Sequence, residues 1–429
     1  MAEHAIGSFF LFVLILLASS HILGDLFARL HQPRVIGEIL AGVLVGPTLL
    51  KVTAGFGAAP AGAEKAALDI IYWLGLLLLM FLSGAETKGL FNREDRKEVS
   101  WLAVVGTGLP FVLALALGSR LSLDSMIGIV QRRLPLLLVV GIAVAVTSIP
   151  VISRIFFDLK ILHTRFARLV LGVAVMEDIG LWAVLAIATA LAQSQGVPTS
   201  LIASRIAFTL VYFVLGLTVL PRLLARAHEA TWNSFAKHSP TAYLLLILFA
   251  YVGLAAALKI NLVFAAFLAG LVVPHRTPRF IEAVNSVKGM AFGYFIPIYF
   301  ALVGYKLDLG KDFSGSMLAS FLVIACVIKL LSVMLGSRLA GFNLSDSINL
   351  AVATNARGGP GIVLASVAYE AGIINATFYT TLILLAVLTS QFAGAWLEFV
   401  LRRGRPLLTE QVPAKAADPA EVEVNVLAA

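Results

Sequence analysis

Two adjacent acids, Glu177 and Asp178, sit near the middle of an apolar stretch running from 165 to 192. At that depth neither side chain reaches water at the ends of the stretch. An ionised Asp at a bilayer centre costs about 2.5–3.5 kcal/mol on insertion scales, so such a pair persists only with partners, water or a task. Adjacent helical residues point about 100° apart, which keeps the two carboxylates from facing one ion squarely and predicts separate duties. A carboxylate placed there can hold a proton or a cation, one at a time, and that makes Asp178 and Glu177 candidates for proton coupling and cation binding. Lys329, in the apolar run 326–331, is a base at similar depth. It is a candidate partner for Glu177 or for the carbonyl ends of interrupted helices.

Two further stretches interrupt their helices. Thr147-Ser148-Ile149-Pro150 breaks one apolar run, and Asn355-Ala356-Arg357-Gly358-Gly359-Pro360-Gly361 breaks another. Proline removes a backbone donor and glycine loosens a helix, so polar backbone is freed at membrane depth, where only a protein-lined or wet cavity satisfies it. Paired breaks point to a binding site. Pro150, Asn355, Gly358 and Gly359 are then backbone of that site. The hydroxyls of Thr147 and Ser148, with freed carbonyls, are hard oxygen ligands for a cation. Arg357 is expected to compensate charge there by pairing with Glu86, Glu38 or a half-helix end.

These residues need a membrane-spanning scaffold, and composition supplies one. The chain of 429 residues is 60% apolar and 13% charged, against about 25% charged in soluble domains. About thirteen spans are expected, at 5–30, 35–50, 66–85, 99–118, 134–157, 165–192, 201–225, 241–258, 260–274, 287–307, 314–341, 345–371 and 377–402. Loops after odd-numbered spans hold most of the basic residues, among them Arg29, Arg34, Lys88, Arg93, Lys97, Lys160, Arg222 and Lys237. That bias puts the N-terminus outside and the C-terminus in the cytoplasm. The first span follows Glu3 and His4 instead of a basic segment, so it is expected to be retained. The net charge of +8 is scattered over short loops, which argues against nucleic acid. Residues 404–429 are expected to form a disordered cytoplasmic tail with no soluble domain after it. Cys326, the single cysteine, is expected to be apolar filling. His21, His31 and His163 are expected at helix ends, which leaves an intramembrane hydrolase without its nucleophile and base.

The chain also repeats itself. Leu40-Ala41-Gly42-Val43 with Pro47, in the second span, is matched by Leu268-Ala269-Gly270-Leu271 with Pro274 in the ninth. Phe81-Leu82-Ser83-Gly84 in the third, followed by the polar Glu86-Thr87-Lys88, is echoed by Phe300-Ala301-Leu302-Val303-Gly304 in the tenth, followed by Tyr305-Lys306-Leu307-Asp308. An offset of seven spans is odd, so the halves cross the membrane in opposite directions. The same offset relates the two interrupted helices, the fifth and the twelfth. The expected fold is an all-α integral membrane protein with inverted-topology repeats and two crossed broken helices.

With these motifs in order, the chain resembles the monovalent cation:proton antiporter superfamily, in particular the bacterial branch of Nap- and Kef-type proteins and the plant cation/proton exchangers. The motifs are Gln32-Pro33-Arg34-Val35-Ile36-Gly37-Glu38-Ile39 with Ala41-Gly42 and Gly46-Pro47, Phe81-Leu82-Ser83-Gly84-Ala85-Glu86, Thr147-Ser148-Ile149-Pro150, Glu177-Asp178, Pro297-Ile298-Tyr299-Phe300 with Gly304, and Asn355-Ala356-Arg357-Gly358. The resemblance covers 1–403. It implies a homodimer in the cell membrane, with a mobile core domain interleaved in sequence with a dimerisation domain. It further implies that Asp178 matches the essential cation- and proton-binding aspartate, Glu177 the variable residue before it, and Lys329 the core lysine that pairs with it. The expected partners are Na⁺ or K⁺ and H⁺, with Na⁺ favoured, in a transporter that needs no cofactor and is not an enzyme. A Kef-type potassium efflux channel and a sodium-coupled organic anion symporter are the competing readings.

Overall fold

The computed structural model describes residues 3–29, 32–46, 63–87, 95–120, 123–193, 199–230, 233–274 and 277–409. His31, Pro47, Lys88, Arg93 and the tail from 410 onward lie outside the described residues. Among those described, the secondary structure is helical, apart from one isolated bridge between Ile127 and Ile374.

Among the described residues thirteen helical units follow one another, besides one short helix before the eighth. They are α1 (Glu3–Arg29), α2 (Arg34–Val45), α3 (Ala63–Thr87), α4 (96–120), α5 in two halves (α5a, Arg133–Ala145; α5b, Ile149–Asp158), α6 (Arg165–Ala192), α7 (199–229), α8 (Pro240–Ala257), α9 (Leu262–Leu271), α10 (Pro278–Tyr305), α11 (Gly315–Leu339), α12 in two halves (α12a, Leu344–Thr354; α12b, Gly358–Glu370) and α13 (Ala376–Arg402). Ten of them are long and apolar enough to cross a bilayer, and α2, α9 and the halves of α12 are shorter. Side-chain oxygens of Thr164, Asn261, Ser314, Asn343 and Asn375 cap their helices by accepting from the third residue on.

Three features depart from the expected pattern. A five-residue helix, Ser234–His238, precedes α8. Helix α10 starts at Pro278 instead of near 287, because Arg279, Glu282 and Lys288 make its first turns too polar for a hydropathy reading. Residues 404–409 are ordered: Leu407 and Leu408 are buried, and Thr409 bonds the Asp346 carboxylate through its amide at 3.0 Å and its hydroxyl at 2.8 Å.

Helices α4, α7 and α10 each widen into a π-type turn, at Val104–Gly108, Leu215–Val219 and Ala291–Phe295. Each wide turn ends two residues before a proline, namely Pro110, Pro221 and Pro297. Proline donates nothing and its ring crowds the carbonyl four residues back, and a π turn relieves both. At Gly293, four residues before Pro297, the carbonyl oxygen lies 3.0 Å from His21 Nε2.

Packing falls mainly into two groups, α1–α3 with α8–α10 and α4–α6 with α11–α13, while α7 lies against α6 and α9. The repeat is visible in the first group. A methyl at Gly42 would lie 1.7 Å from Ala301 O, and one at Gly304 would lie 1.9 Å from Ile39 O, so α2 and α10 cross at backbone contact. A methyl at Gly270 would lie 2.0 Å from Phe81 O, and one at Gly84 would lie 2.1 Å from Phe267 O, so α9 and α3 cross in the same way. Gly42 corresponds to Gly270 and Gly304 to Gly84, and the opposing carbonyls correspond as well. The two crossings are one contact made twice by inverted halves.

Candidate functional site

Helix α5a stops at Ala145, the chain runs extended through Val146 and Ser148, and α5b begins at Ile149. Pro150 stands in the first turn of α5b, where no backbone donor is needed, so it starts a half-helix instead of kinking a continuous one. Ser148 caps that half, its Oγ accepting from Val151 N at 3.3 Å. Helix α12a ends at Thr354, and α12b starts at Gly358.

The two breaks cross. The Ser148 amide donates to Ala356 O at 2.7 Å, and the Thr147 hydroxyl donates to Thr354 O at 2.5 Å. Gly358 has φ +37°, and a methyl there would lie 2.4 Å from Val151 Cγ2 and 2.7 Å from Ser148 Oγ, so both conformation and space demand glycine. Its amide donates to Ser390 Oγ on α13 at 3.1 Å. Gly359 meets nothing within 4 Å, so the crossing does not depend on it for space.

Two buried cations close the negative end of α5a. The Arg357 guanidinium donates through Nε to Ala143 O at 2.8 Å, through Nη2 to Val144 O and Ala325 O at 3.1 Å each, and through Nη1 to the Asn355 side chain at 2.8 Å. Cys326 Sγ also lies 4.0 Å from Nη1. Of the partners expected for Arg357, the half-helix end is the one found, while Glu86 pairs with Lys288 at 2.7 Å. Lys329 Nζ donates to Ala145 O at 2.5 Å and to Glu177 Oε1 at 2.7 Å. The last carbonyls of a helix lack internal donors and carry its negative dipole, which is why fixed positive charge settles there.

Glu177 and Asp178 diverge on α6. Glu177 Oε1 accepts from Lys329 and also from the Thr107 hydroxyl at 2.6 Å, and its Oε2 has no donor. Asp178 is 1% exposed, and neither of its oxygens has a hydrogen-bond donor. The hydroxyls of Thr147 and Ser148 serve the crossing and do not bond Asp178. Thr107 was not among the residues singled out from sequence. It lies in the π-type turn of α4, and Pro110 in mid-span is the signal that marked that turn.

The ends of the molecule differ. A cleft of about 390 Å³ opens between the two helix groups, lined by Gln32, Arg154, Ser390, Glu398 and Arg402 among others. Ser390 is therefore shared between the cleft and the α12 break. At the far ends of α10 and α12b the groups are joined instead. Lys306 Nζ lies 2.9 Å from Glu370 Oε1 and 3.7 Å above the Tyr72 ring. Tyr299 Oη and Ser366 Oγ are 3.4 Å apart, and Tyr379 Oη donates to Val303 O at 3.3 Å.

Comparison with known proteins points one way. Residues 12–403 match the sodium/hydrogen exchanger transmembrane family. The chain is 28% identical to the Cation/H(+) antiporter 17 of Arabidopsis thaliana, over 94% of this chain and 50% of that protein. It is 27% identical to the Na(+)/H(+) antiporter NhaS4 of Synechocystis, over 88% of this chain and 93% of that protein. The chain thus spans about half the length of the plant relatives it matches. Its fold is similar to that of the sodium proton antiporter MjNhaP1 from Methanocaldococcus jannaschii, with a TM-score of 0.59 at 13% identity, covering 93% of this chain and 98% of that one.

Proposed function

The chain belongs to the sodium/hydrogen exchanger transmembrane family, and from that premise we propose that it exchanges a monovalent cation for protons, with Asp178 holding either in turn. The observation that carries this reading is a contrast within one acid pair. Glu177 is already committed to Lys329 and Thr107, whereas Asp178 is equally buried and has two oxygens without a donor. Of the charged groups at the crossing, Asp178 is the one left to take a load.

Coupling follows from electrostatics. An empty Asp178 carboxylate has no hydrogen-bond donor, and sealing it from water costs several kcal/mol, a penalty that a bound proton or cation removes. The group α4–α6 with α11–α13 carries the loaded carboxyl past α1–α3 with α8–α10 and rarely returns empty. The cleft at Gln32 and Arg402 and the joined ends at Lys306 and Glu370 support a state open on one side. The bias of basic loops supports the cytoplasm as that side, with the N-terminus outside and the C-terminus inside. Oxygen ligands at the break suit Na⁺, with K⁺ as the second candidate, and a homodimer in the cell membrane serving pH homeostasis completes the reading. Proton flux in proteoliposomes, compared across Na⁺, Li⁺, K⁺ and Rb⁺, tests it. Asp178→Asn should abolish cation-dependent flux in every case, and retained exchange would remove Asp178 from the mechanism.

A further inference from the structure

Asp178 and Trp182 are four residues apart on α6, one turn along the same face. Each carries what the other lacks. Asp178 has two buried acceptor oxygens without a donor, and Trp182, 5% exposed, has a buried indole Nε1–H without an acceptor. The two groups are not bonded to each other in this structure, although the four-residue spacing on α6 puts both side chains on one face. An indole nitrogen can only donate, and buried donors without acceptors are rare in folded proteins. The other polar side chains of the crossing are occupied, Thr107 and Lys329 by Glu177, and Thr147 by Thr354.

We propose that Trp182 is a positioning residue of the exchange site, its indole N–H donating to the Asp178 carboxylate whenever that group is unprotonated. The inference rests on the reading of Asp178 as the shared binding group. A carboxylate has about four lone-pair positions, so one indole donor leaves room for a cation on the remaining ones. A donor of this kind favours the charged carboxylate over the neutral acid, and so weights the competition towards the cation. It also fixes the rotamer in which the carboxylate meets the ion. The indole has a fixed shape and no charge, so it does this without adding a competing cation to the site.

The test is Trp182→Phe, which removes the N–H and keeps an aromatic ring. Its apparent KM for the cation should rise about tenfold at fixed pH, equal to 1.4 kcal/mol at 25 °C, while kcat at saturating cation is kept. The deficit should shrink as the pH is raised. Trp182→His, which restores a ring N–H, should recover part of the KM. Benzothienylalanine at 182, the sulfur isostere of tryptophan, removes the N–H with the shape intact and serves if the phenylalanine variant does not fold. Protection of the purified protein against heat by added Na⁺ or K⁺ reads the same affinity without turnover. An unchanged or lowered KM with an unmoved pH profile overturns the proposal, as does a loss confined to kcat and thermal stability. If Asp178→Asn still exchanges, the reading of Asp178 fails first. If Asp178→Asn is inactive and the Trp182 variants keep the parental KM, the Trp182 proposal alone fails.

Discussion

Lys329 Nζ lies 2.7 Å from Glu177 Oε1 with both side chains wholly shielded from solvent, and the same ammonium caps Ala145 O at the end of α5a. The pair is a tie between α6, α11 and the broken helix, whatever else it does. Its two members are not equivalent: without Glu177 the lysine keeps a carbonyl, whereas without Lys329 the carboxylate keeps only Thr107.

Removing one partner of a buried ion pair costs about 3–5 kcal/mol. Lys329→Met is therefore expected to lower the thermal unfolding midpoint more than Glu177→Gln does. The double variant should lose less than the two single losses combined, with a coupling of about 0.5–3 kcal/mol. Strictly additive losses in detergent-solubilised protein would show that the two side chains do not act as a unit.

Asp178→Asn keeps the shape of the side chain and offers an amide N–H₂ in place of an acceptor oxygen. It is expected to abolish cation-dependent proton movement in everted vesicles while the unfolding midpoint stays at or above that of the parent. A large fall in the midpoint would recast Asp178 as a structural residue.

The paired glycine crossings predict paired costs. Gly42→Ala, Gly304→Ala, Gly84→Ala and Gly270→Ala each drive a methyl against a carbonyl oxygen, and overpacking of this kind costs about 1–3 kcal/mol. Gly253→Ala, where nothing lies within 4 Å, is the matched control. It should gain about 0.5–1 kcal/mol from helix propensity. Unfolding midpoints check the series, and four neutral substitutions would mean that the helices do not cross at backbone contact.

The joint between Lys306 and Glu370 should act on conformation more than on fold. In a Cys326→Ala background carrying Ser366→Cys, adding Glu370→Gln is expected to speed labelling severalfold by a membrane-impermeant maleimide applied on the side of that ion pair. Equal labelling rates with and without Glu370→Gln would show that the ion pair does not hold that end closed.

Hydropathy alone located the spans, because membrane helices must satisfy their backbone internally and so appear as uninterrupted apolar runs. The breaks were legible from Pro150 and the Gly358 region, and the acids and Lys329 from charge where charge is expensive. What was hidden depended on contacts between distant segments. Thr107 is a neutral residue whose partner is fixed by a widened turn that ends two residues before Pro110. Arg357 had three plausible partners on the chain, and only the fold brings the end of α5a under it. The start of α10 was lost because its first turns are charged. The orphaned indole of Trp182 is invisible to any pattern, since a tryptophan in an apolar helix is ordinarily packing.

The acid pair of α6 and the end of α5a bring together two buried acids, Glu177 and Asp178, and two buried bases, Lys329 and Arg357. With Glu177 and Lys329 held as an ion pair, the four formal charges cancel. A proton or one monovalent cation on Asp178 then leaves the same single positive charge on the assembly. Moving one charge through a membrane field takes about 2.3 kcal/mol per 100 mV, and both loads meet that work equally, in opposite directions. In a one-for-one cycle the voltage drops out of the driving force, and clamping the membrane potential should leave the gradient at which exchange reverses unchanged. The two ion gradients alone then decide which way the exchanger runs.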